Sequence, residues 1–146
     1  MHVPTKIEPT CIANYLETMA KSMFQSGISW RVVDSKWPSM RIALQGFDVR
    51  AIANLTEPEL DILVQDERII RSRRKLDALV VNANKMMTLD AQHGSFTSYL
   101  RSHGSFESTL KDIRKQFKYM GDSGTYHFLC TVGEDVPPYE VWCISH

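Results

Sequence analysis

The apolar residues of this chain recur at helical spacing almost from end to end, and no run alternates convincingly enough for a strand. The first segment shows this best, because its large apolar side chains fall three or four residues apart, at Ile12, Tyr15, Leu16, Met19 and Met23. Such a stripe must pack against other helices. With 146 residues, the chain is long enough to bury a core. We therefore expect an all-α fold, with one compact multi-helix domain spanning residues 1–146.

Turn and capping residues divide the chain into many short predicted helices. Pro38 should interrupt the second of these, because proline lacks a backbone N–H, and residues 39–45 are then expected to form a separate helix. The tail from Gly133 to His146 contains two adjacent prolines and is expected to be irregular. The remaining helices are predicted over residues 49–54 and 57–65, capped by Asp48 and Thr56, and over about 69–88, 96–102, 107–117 and 125–132.

Charge and cysteine content exclude some classes of protein. Lys+Arg and Asp+Glu both number 17, which argues against a generic polyanion coat but leaves room for a local basic face. Cys11, Cys130 and Cys143 are odd in number and lack Cys-x-x-Cys spacing, so reduced thiols in a cytoplasmic protein are expected. No apolar run approaches the roughly 20 residues of a membrane span, and no membrane partner is expected.

A turn with two glycines joins two short amphipathic helices near the C-terminus. At Gly121 and Gly124, no Cβ shields the backbone N–H groups, and the following helix directs its positive end the same way. This geometry can bind a phosphate. Charge could be added by the basic residues that precede the turn, Lys111, Arg114, Lys115 and Lys118. An ordinary helical corner with a solvated basic face would explain the same residues.

A second basic run, from Arg68 to Lys75, opens the longest predicted helix. Basic side chains at a helix N-terminus oppose the helix dipole, so they need another reason to be there. They could serve a partner, or they could pair with the nearby acids Asp61, Asp66 and Glu67. The sequence leaves both interpretations open.

Four stretches of the chain resemble, in the same order, segments of the 3-methyladenine DNA glycosylase I family of the helix-hairpin-helix superfamily. They are "VP" at 3–4, "QSGISW" at 25–30, the block from Gly46 to Ala83 with its Phe-Asp, Ile-Ile-Arg and Lys-Leu, and "LKDIRKQFKYMGDSGTYHFLCTVG" at 110–133. The resemblance implies an all-helical fold with a helix-hairpin-helix near the C-terminus. It also implies double-stranded DNA with a damaged base as the partner.

The resemblance places the base pocket at the "QSGISW" stretch. Trp30 stands where the family has a pocket tryptophan, and a flat indole can stack on an extruded base. Ser22 and Gln25 are expected at the pocket edge, with Ser22 in place of a family glutamate that contacts the base. Tyr126 could line the pocket or simply pack. Without the resemblance, Trp30 would be interpreted as a core residue.

Cleavage of an N-glycosidic bond builds positive charge on the sugar, which a nearby carboxylate can stabilise. Many members of the wider superfamily use an aspartate shortly after the second helix of the hairpin. Glu140, seven residues after Gly133, is therefore the first candidate and Asp135 the second, although both could be solvated tail residues. No catalytic role is assigned to His127, because a helix histidine more often packs or lies on the surface.

The resemblance also suggests which residues contact DNA. Phosphate contact is expected from Lys115, Lys118 and the corner that follows them, Gly121, Asp122, Ser123, Gly124 and Thr125. The family ties its termini with a zinc site, but Cys143 and His146 alone are too few ligands, so no zinc or other cofactor is expected. The predicted protein is a monomeric glycosylase that removes an alkylated purine. The alternatives are a non-catalytic DNA-binding descendant and a helical protein-interaction domain.

Overall fold

The structure, a computed structural model, describes residues 5–145, with the side chains of residues 144 and 145 excluded. Within this range the chain forms α-helices and one short 3₁₀ turn, and no strand. The helices are α1 (Ile12–Gln25), α2 (Trp30–Ala43), α3 (Val49–Ala53), α4 (Glu57–Leu63), α5 (Arg73–His93), α6 (Phe96–Leu100), α7 (Phe106–Gln116), α8 (Asp122–Thr131) and α9 (Tyr139–Ser145). The predicted all-α class is confirmed for the part of the chain described.

Polar side chains cap most of the helices at their N-termini. The Ser29 hydroxyl accepts a hydrogen bond from the Val32 N–H at 3.2 Å, and Asp48 accepts one from Ala51 at 2.9 Å. Each such cap satisfies a backbone donor that has no partner inside the helix, and typically stabilises the helix by about 1 kcal/mol. Side chains of the same kind open α4, α5, α6 and α7, at Thr56, Ser72, Ser95 and Ser105.

Pro38 does not interrupt α2, which runs without a break from Trp30 to Ala43. The prediction of a separate helix over 39–45 was wrong. A proline inside a helix removes one backbone hydrogen bond, but Pro38 lies on the exposed face, where water can solvate the freed carbonyl. Trp37 and Met40 are buried on the opposite side and hold the helix against the core.

Replacing Pro38 with alanine is expected to stabilise the protein by about 1–2 kcal/mol. Alanine restores the missing hydrogen bond and has a far higher helix propensity, while the loss of proline's rigidity in the unfolded chain offsets part of the gain. Urea unfolding followed by circular dichroism would measure the change. Ser35→Ala, at an exposed position of the same helix, is the control and should change stability by no more than about 0.5 kcal/mol. A destabilised Pro38→Ala variant would contradict this account.

The core is arranged around α1, which packs against α2, α5 and α8. Leu16, Met19 and Phe24 of α1 are completely buried. On the α2 side, the ring of Trp37 stacks on Phe47 with 5.2 Å between centroids. This packing brings the start of α2 beside α8 and so places Trp30 next to residues of both α1 and α8. None of the described helices combines the length and apolar character that a membrane span needs.

The tail is irregular only in part. Residues 134–138 have no regular structure, as the sequence suggested, but Tyr139–Ser145 form α9, which was not predicted. The Pro138 carbonyl accepts hydrogen bonds from the backbone N–H groups of Val141 and Trp142, both at 3.0 Å. Trp142 is buried and stacks on Tyr126 of α8 with 4.5 Å between ring centroids. Proline is well tolerated just before or within the first turn of a helix, and the buried indole supplies the packing that fixes it.

The basic run that opens α5 is largely engaged within the protein. Arg68 pairs with Asp66 at 2.8 Å. Lys75 is buried and donates from Nζ to the Phe24 carbonyl at 2.8 Å, near the end of α1, and burial lowers the pKa of Lys75. Arg73 pairs with three acids, Glu57, Asp61 and Asp77. These contacts favour the internal-pairing interpretation over a partner surface for Arg68, Arg73 and Lys75.

Candidate functional site

Trp30 lies beside a hollow of about 340 Å³ where α1, α2 and α8 meet. The side chain is partly exposed, and its indole stacks on the ring of His127 with 4.1 Å between centroids and 24° between planes. A partly exposed indole next to such a space can stack on a flat ligand. The charged residues that line the same hollow are Glu17, Lys21, Asp34 and Arg41.

These four charged residues balance one another. Glu17 accepts a hydrogen bond from Trp37 Nε1 at 2.9 Å and pairs with Arg41, whose Nη2 lies 2.6 Å from Glu17 Oε2. Lys21 Nζ lies 4.0 Å from Asp34 Oδ1. The hollow therefore contains two carboxylates and two cations beside an aromatic wall. It can recognise a polar planar ligand by stacking and by directed hydrogen bonds.

The structure does not bring the predicted edge residues to this hollow. Ser22 is 2% exposed and faces α8, where a Cβ added at Gly124 would lie 3.6 Å from the Ser22 Cβ. Gln25 donates to the Ile28 carbonyl at 3.1 Å and so holds the turn between α1 and α2. Tyr126 is buried, and its hydroxyl donates to the Pro137 carbonyl at 2.6 Å. Of the four predicted pocket residues, only Trp30 lines the hollow.

The two predicted catalytic carboxylates also lie elsewhere. Asp135 borders a separate hollow of about 710 Å³ between α6, α7 and the segment after α8. Glu140 is exposed on α9, which packs against Tyr126 through Trp142. The carboxylates that line the Trp30 hollow are Glu17 and Asp34. Neither belongs to a motif in the sequence, because packing of α1 against α2 brings them together.

The segment 117–121 connects α7 to α8 and borders a surface hollow of about 490 Å³ lined by Lys111, Arg114, Lys115 and Gly121. We call these four residues the basic corner. Gly121 is the N-cap of α8 and has no side chain to accept from the first turn, unlike the capped helices α2 to α7. The backbone donors of that turn therefore have no side-chain cap, and the cations Lys111, Arg114 and Lys115 lie beside Gly121. Arg114 forms an ion pair with Asp122 at 2.8 Å, which partly neutralises its charge.

Helix α8 begins at Asp122, so the predicted phosphate contacts lie in its first turn or next to it. Asp122, Ser123 and Gly124 form the first turn. Thr125 cannot contact a phosphate, because its side chain is fully buried and its N–H donates to the Gly121 carbonyl at 2.9 Å. The structure therefore places Thr125 in the core and not at the surface of the corner.

A buried asparagine on α5 fixes the loop of the basic corner. Asn82 is 0% exposed, and its Oδ1 accepts from the Lys118 N–H at 2.9 Å while its Nδ2 donates to the Lys118 carbonyl at 3.0 Å. The Lys118 side chain itself is exposed. Sequence reasoning missed Asn82, although a polar residue between the core residues Leu79 and Ala83 was a usable signal.

The zinc prediction concerns Cys143 and His146. Cys143 is an exposed free cysteine, and His146 lies outside the described residues, as do Val3 and Pro4. Within the described range, no three His, Cys, Asp or Glu side chains converge as metal ligands would. The described side chains therefore do not fit a structural zinc ion, and its absence from the whole chain stays a prediction.

Comparison with known proteins connects this geometry to a family. Residues 13–126, well over half of the chain, match the family model described as methyladenine glycosylase. The chain belongs to that family. Among curated relatives, the DNA-3-methyladenine glycosylase of Haemophilus influenzae is 25% identical in an alignment of 130 positions that covers 75% of this chain and 70% of the relative. DNA-3-methyladenine glycosylase 1 of Escherichia coli is 26% identical in an alignment of 146 positions that covers 80% of this chain and 78% of the relative.

Solved structures support the same fold. A 3-methyladenine DNA glycosylase I from Staphylococcus aureus, whose structure was described for 3-methyladenine recognition, aligns with a TM-score of 0.78 at 22% identity, covering 89% of this chain and 80% of that one. A crystal structure of another 3-methyladenine DNA glycosylase I aligns with a TM-score of 0.75 at 24% identity, covering 87% of this chain and 81% of that one. The match to the family model confirms the suggested family membership, while the roles of individual residues and the helix-hairpin-helix assignment stay predictions.

Proposed function

We propose that this chain is a DNA glycosylase of base-excision repair that removes an alkylated purine of the 3-methyladenine type from duplex DNA. Family membership and the activity named for its relatives support the reaction. The observation that carries the proposal for this chain is the partly exposed indole of Trp30 beside a hollow of about 340 Å³. Its volume falls within the range of roughly 300–1,000 Å³ that is typical of small-molecule sites.

The base enters the hollow after it is flipped out of the duplex and stacks on Trp30. Since the rings of Trp30 and His127 are only 4.1 Å apart, a base cannot lie between them in this arrangement. Stacking therefore uses the other indole face or requires His127 to move. The basic corner holds the DNA backbone through the first-turn amides of α8 and the cations Lys111 and Lys115, with Lys118 beside them.

Hydrolysis breaks the bond between C1′ of the sugar and the base nitrogen. The bonding electron pair leaves with the base, and water adds to C1′ and loses a proton to solvent. An alkylated purine attached to DNA is a cation and becomes neutral as it leaves, so it is a good leaving group. Modest electrostatic help from the hollow is then enough for catalysis.

The direct test is release of free 3-methyladenine from methylated duplex DNA, measured by chromatography with the protein in excess over substrate. We expect release that grows with time and is absent from unmethylated DNA. No release at high protein concentration would reject the enzyme and favour a non-catalytic DNA-binding descendant. Two observations support that second candidate: Ser22 is sealed against α8, and His127 covers one face of Trp30.

Neutralising Lys115 and Lys118 together is expected to weaken binding to duplex DNA of any sequence. Each lysine that contacts a phosphate releases about one counterion, so the slope of log affinity against log salt should fall by about 2. Fluorescence anisotropy titrations at salt concentrations from about 50 to about 200 mM would measure this slope. Arg50→Gln, at an exposed position on α3, is the control and should leave the slope unchanged. An unchanged slope in the lysine variant would contradict the assignment of the basic corner.

A further inference from the structure

One carboxylate in the Trp30 hollow is fixed in place by one oxygen only. Glu17 Oε2 accepts from Trp37 Nε1 at 2.9 Å and from Arg41 Nε at 2.7 Å, and it forms the 2.6 Å ion pair with Arg41 Nη2. All hydrogen bonds and ion pairs of Glu17 within the described range fall on Oε2. Its side chain is 18% exposed, so the carboxylate is held rigidly with Oε1 left to accept from a ligand.

The other carboxylates do not meet these conditions. Asp34 is 48% exposed, so solvent screens its charge more than that of Glu17, which is 18% exposed. Asp135 and Glu140 do not line the hollow. The charged groups that line the hollow with Glu17 are Arg41, Lys21 and Asp34, and the titratable His127 lines it from α8. Arg41 offsets the cost of burying Glu17 while leaving Oε1 available.

The charge of the ligand decides which step such a group can help. A purine alkylated at N3 or N7 in DNA is cationic before cleavage and neutral afterwards, whereas normal adenine and guanine are neutral throughout. A carboxylate touching the base therefore stabilises the bound damaged base more than the leaving base. Its effect falls on binding and on discrimination against normal purines rather than on the bond-breaking step.

We propose that Glu17 is the specificity-determining residue of this hollow, and that its Oε1 accepts from and opposes the charge of an extruded cationic purine. The proposal rests on the proposed function for its substrate, but it concerns recognition and can be tested without DNA. It adds a recognition residue that lies on α1 facing α2, away from the sealed Ser22.

The test uses two small probes in calorimetric titrations of the intact protein: 3,9-dimethyladeninium, which carries a permanent positive charge, and 9-methyladenine, its neutral counterpart. We expect the wild type to bind the cation at least about tenfold more tightly, because a charge-assisted hydrogen bond is worth about 1.5–3 kcal/mol. Glu17→Gln should lower affinity for the cation about tenfold and leave the neutral probe within about threefold.

Glu134→Gln is the matched control. Glu134 pairs with Arg101 at 3.0 Å and is 11% exposed, but it borders the separate hollow that also contains Asp135. It should leave both affinities unchanged. A role that was only structural would lower the affinity of Glu17→Gln for both probes equally, and that result would overturn the proposal.

The wild type alone provides a second test, should Glu17→Gln fold poorly. Equal binding of the two probes, or no binding of either, would overturn the role of Glu17. Release of 3-methyladenine from DNA by a wild type that does not prefer the cation would overturn this inference and leave the proposed function standing. A preference for the cation that is lost in Glu17→Gln, without release from DNA, would support the inference and reject the enzyme.

Discussion

Replacing Trp30 with alanine is expected to lower release of 3-methyladenine from methylated duplex DNA by about 10- to 100-fold. Stacking between a base and an aromatic side chain is worth about 1–3 kcal/mol, and alanine offers no ring on which the flipped base can rest. Single-turnover kinetics at several protein concentrations would measure both the rate and the concentration at half saturation. Thermal melting of each variant separates this effect from a loss of folding.

Trp30→Phe is the matched control, because phenylalanine keeps a flat ring of smaller area. It should retain release within about tenfold of the wild type, with most of the loss in binding. The account fails if Trp30→Ala releases the base as fast as the wild type, since the indole would then belong only to the wall of the hollow.

Replacing Asn82 with alanine is expected to destabilise the protein by about 2–4 kcal/mol. The change removes two hydrogen bonds at 2.9 and 3.0 Å to the Lys118 backbone and leaves a cavity where a fully buried side chain had been. Urea unfolding would measure the loss. Affinity for DNA should fall as well, because Asn82 ties the loop of the basic corner to α5.

Asn84→Ala is the control for this change. Asn84 lies two residues further along α5, is exposed, and donates to the carbonyls of Ala53 and Val80 at 3.2 and 2.9 Å. Its loss should cost no more than about 1 kcal/mol, because water can replace both bonds. An Asn82→Ala variant as stable as the wild type would show that the loop is held by other contacts.

Local sequence signals were enough to predict most of the helices. The caps at Asp48 and Thr56 depend on residues within one turn, and the structure has them where the sequence indicated. Local signals failed where packing decides. Pro38 sits inside a helix that Trp37 anchors, and the tail folds into α9 because Trp142 packs on Tyr126. The longest helix is also displaced, from about 69–88 to Arg73–His93, because Ser72 caps it and Gly94, with φ +82°, ends it.

The candidate site was only partly predictable. The resemblance identified Trp30, but Glu17 and His127 reach the hollow from α1 and α8 and belong to no local pattern. Glu17 contacts Trp37 and Arg41 at separations of 20 and 24 residues, which one sequence does not reveal. Glu140 was chosen as the first catalytic candidate because of its spacing from Gly133. Spacing along the chain does not determine where α9 packs after the segment that follows α8.

The most direct test of the central claim is a titration of the ¹⁵N-labelled protein with free 3-methyladenine, followed through the three tryptophan indole N–H signals in NMR spectra. Trp30 lines the hollow, Trp37 donates to Glu17 beside it, and Trp142 of α9 packs against Tyr126 of α8. We predict that the Trp30 signal shifts most, that Trp37 follows with the same saturation curve, and that Trp142 stays in place. A saturating shift of Trp142 alone, or no shift of Trp30 at millimolar base, would contradict the account.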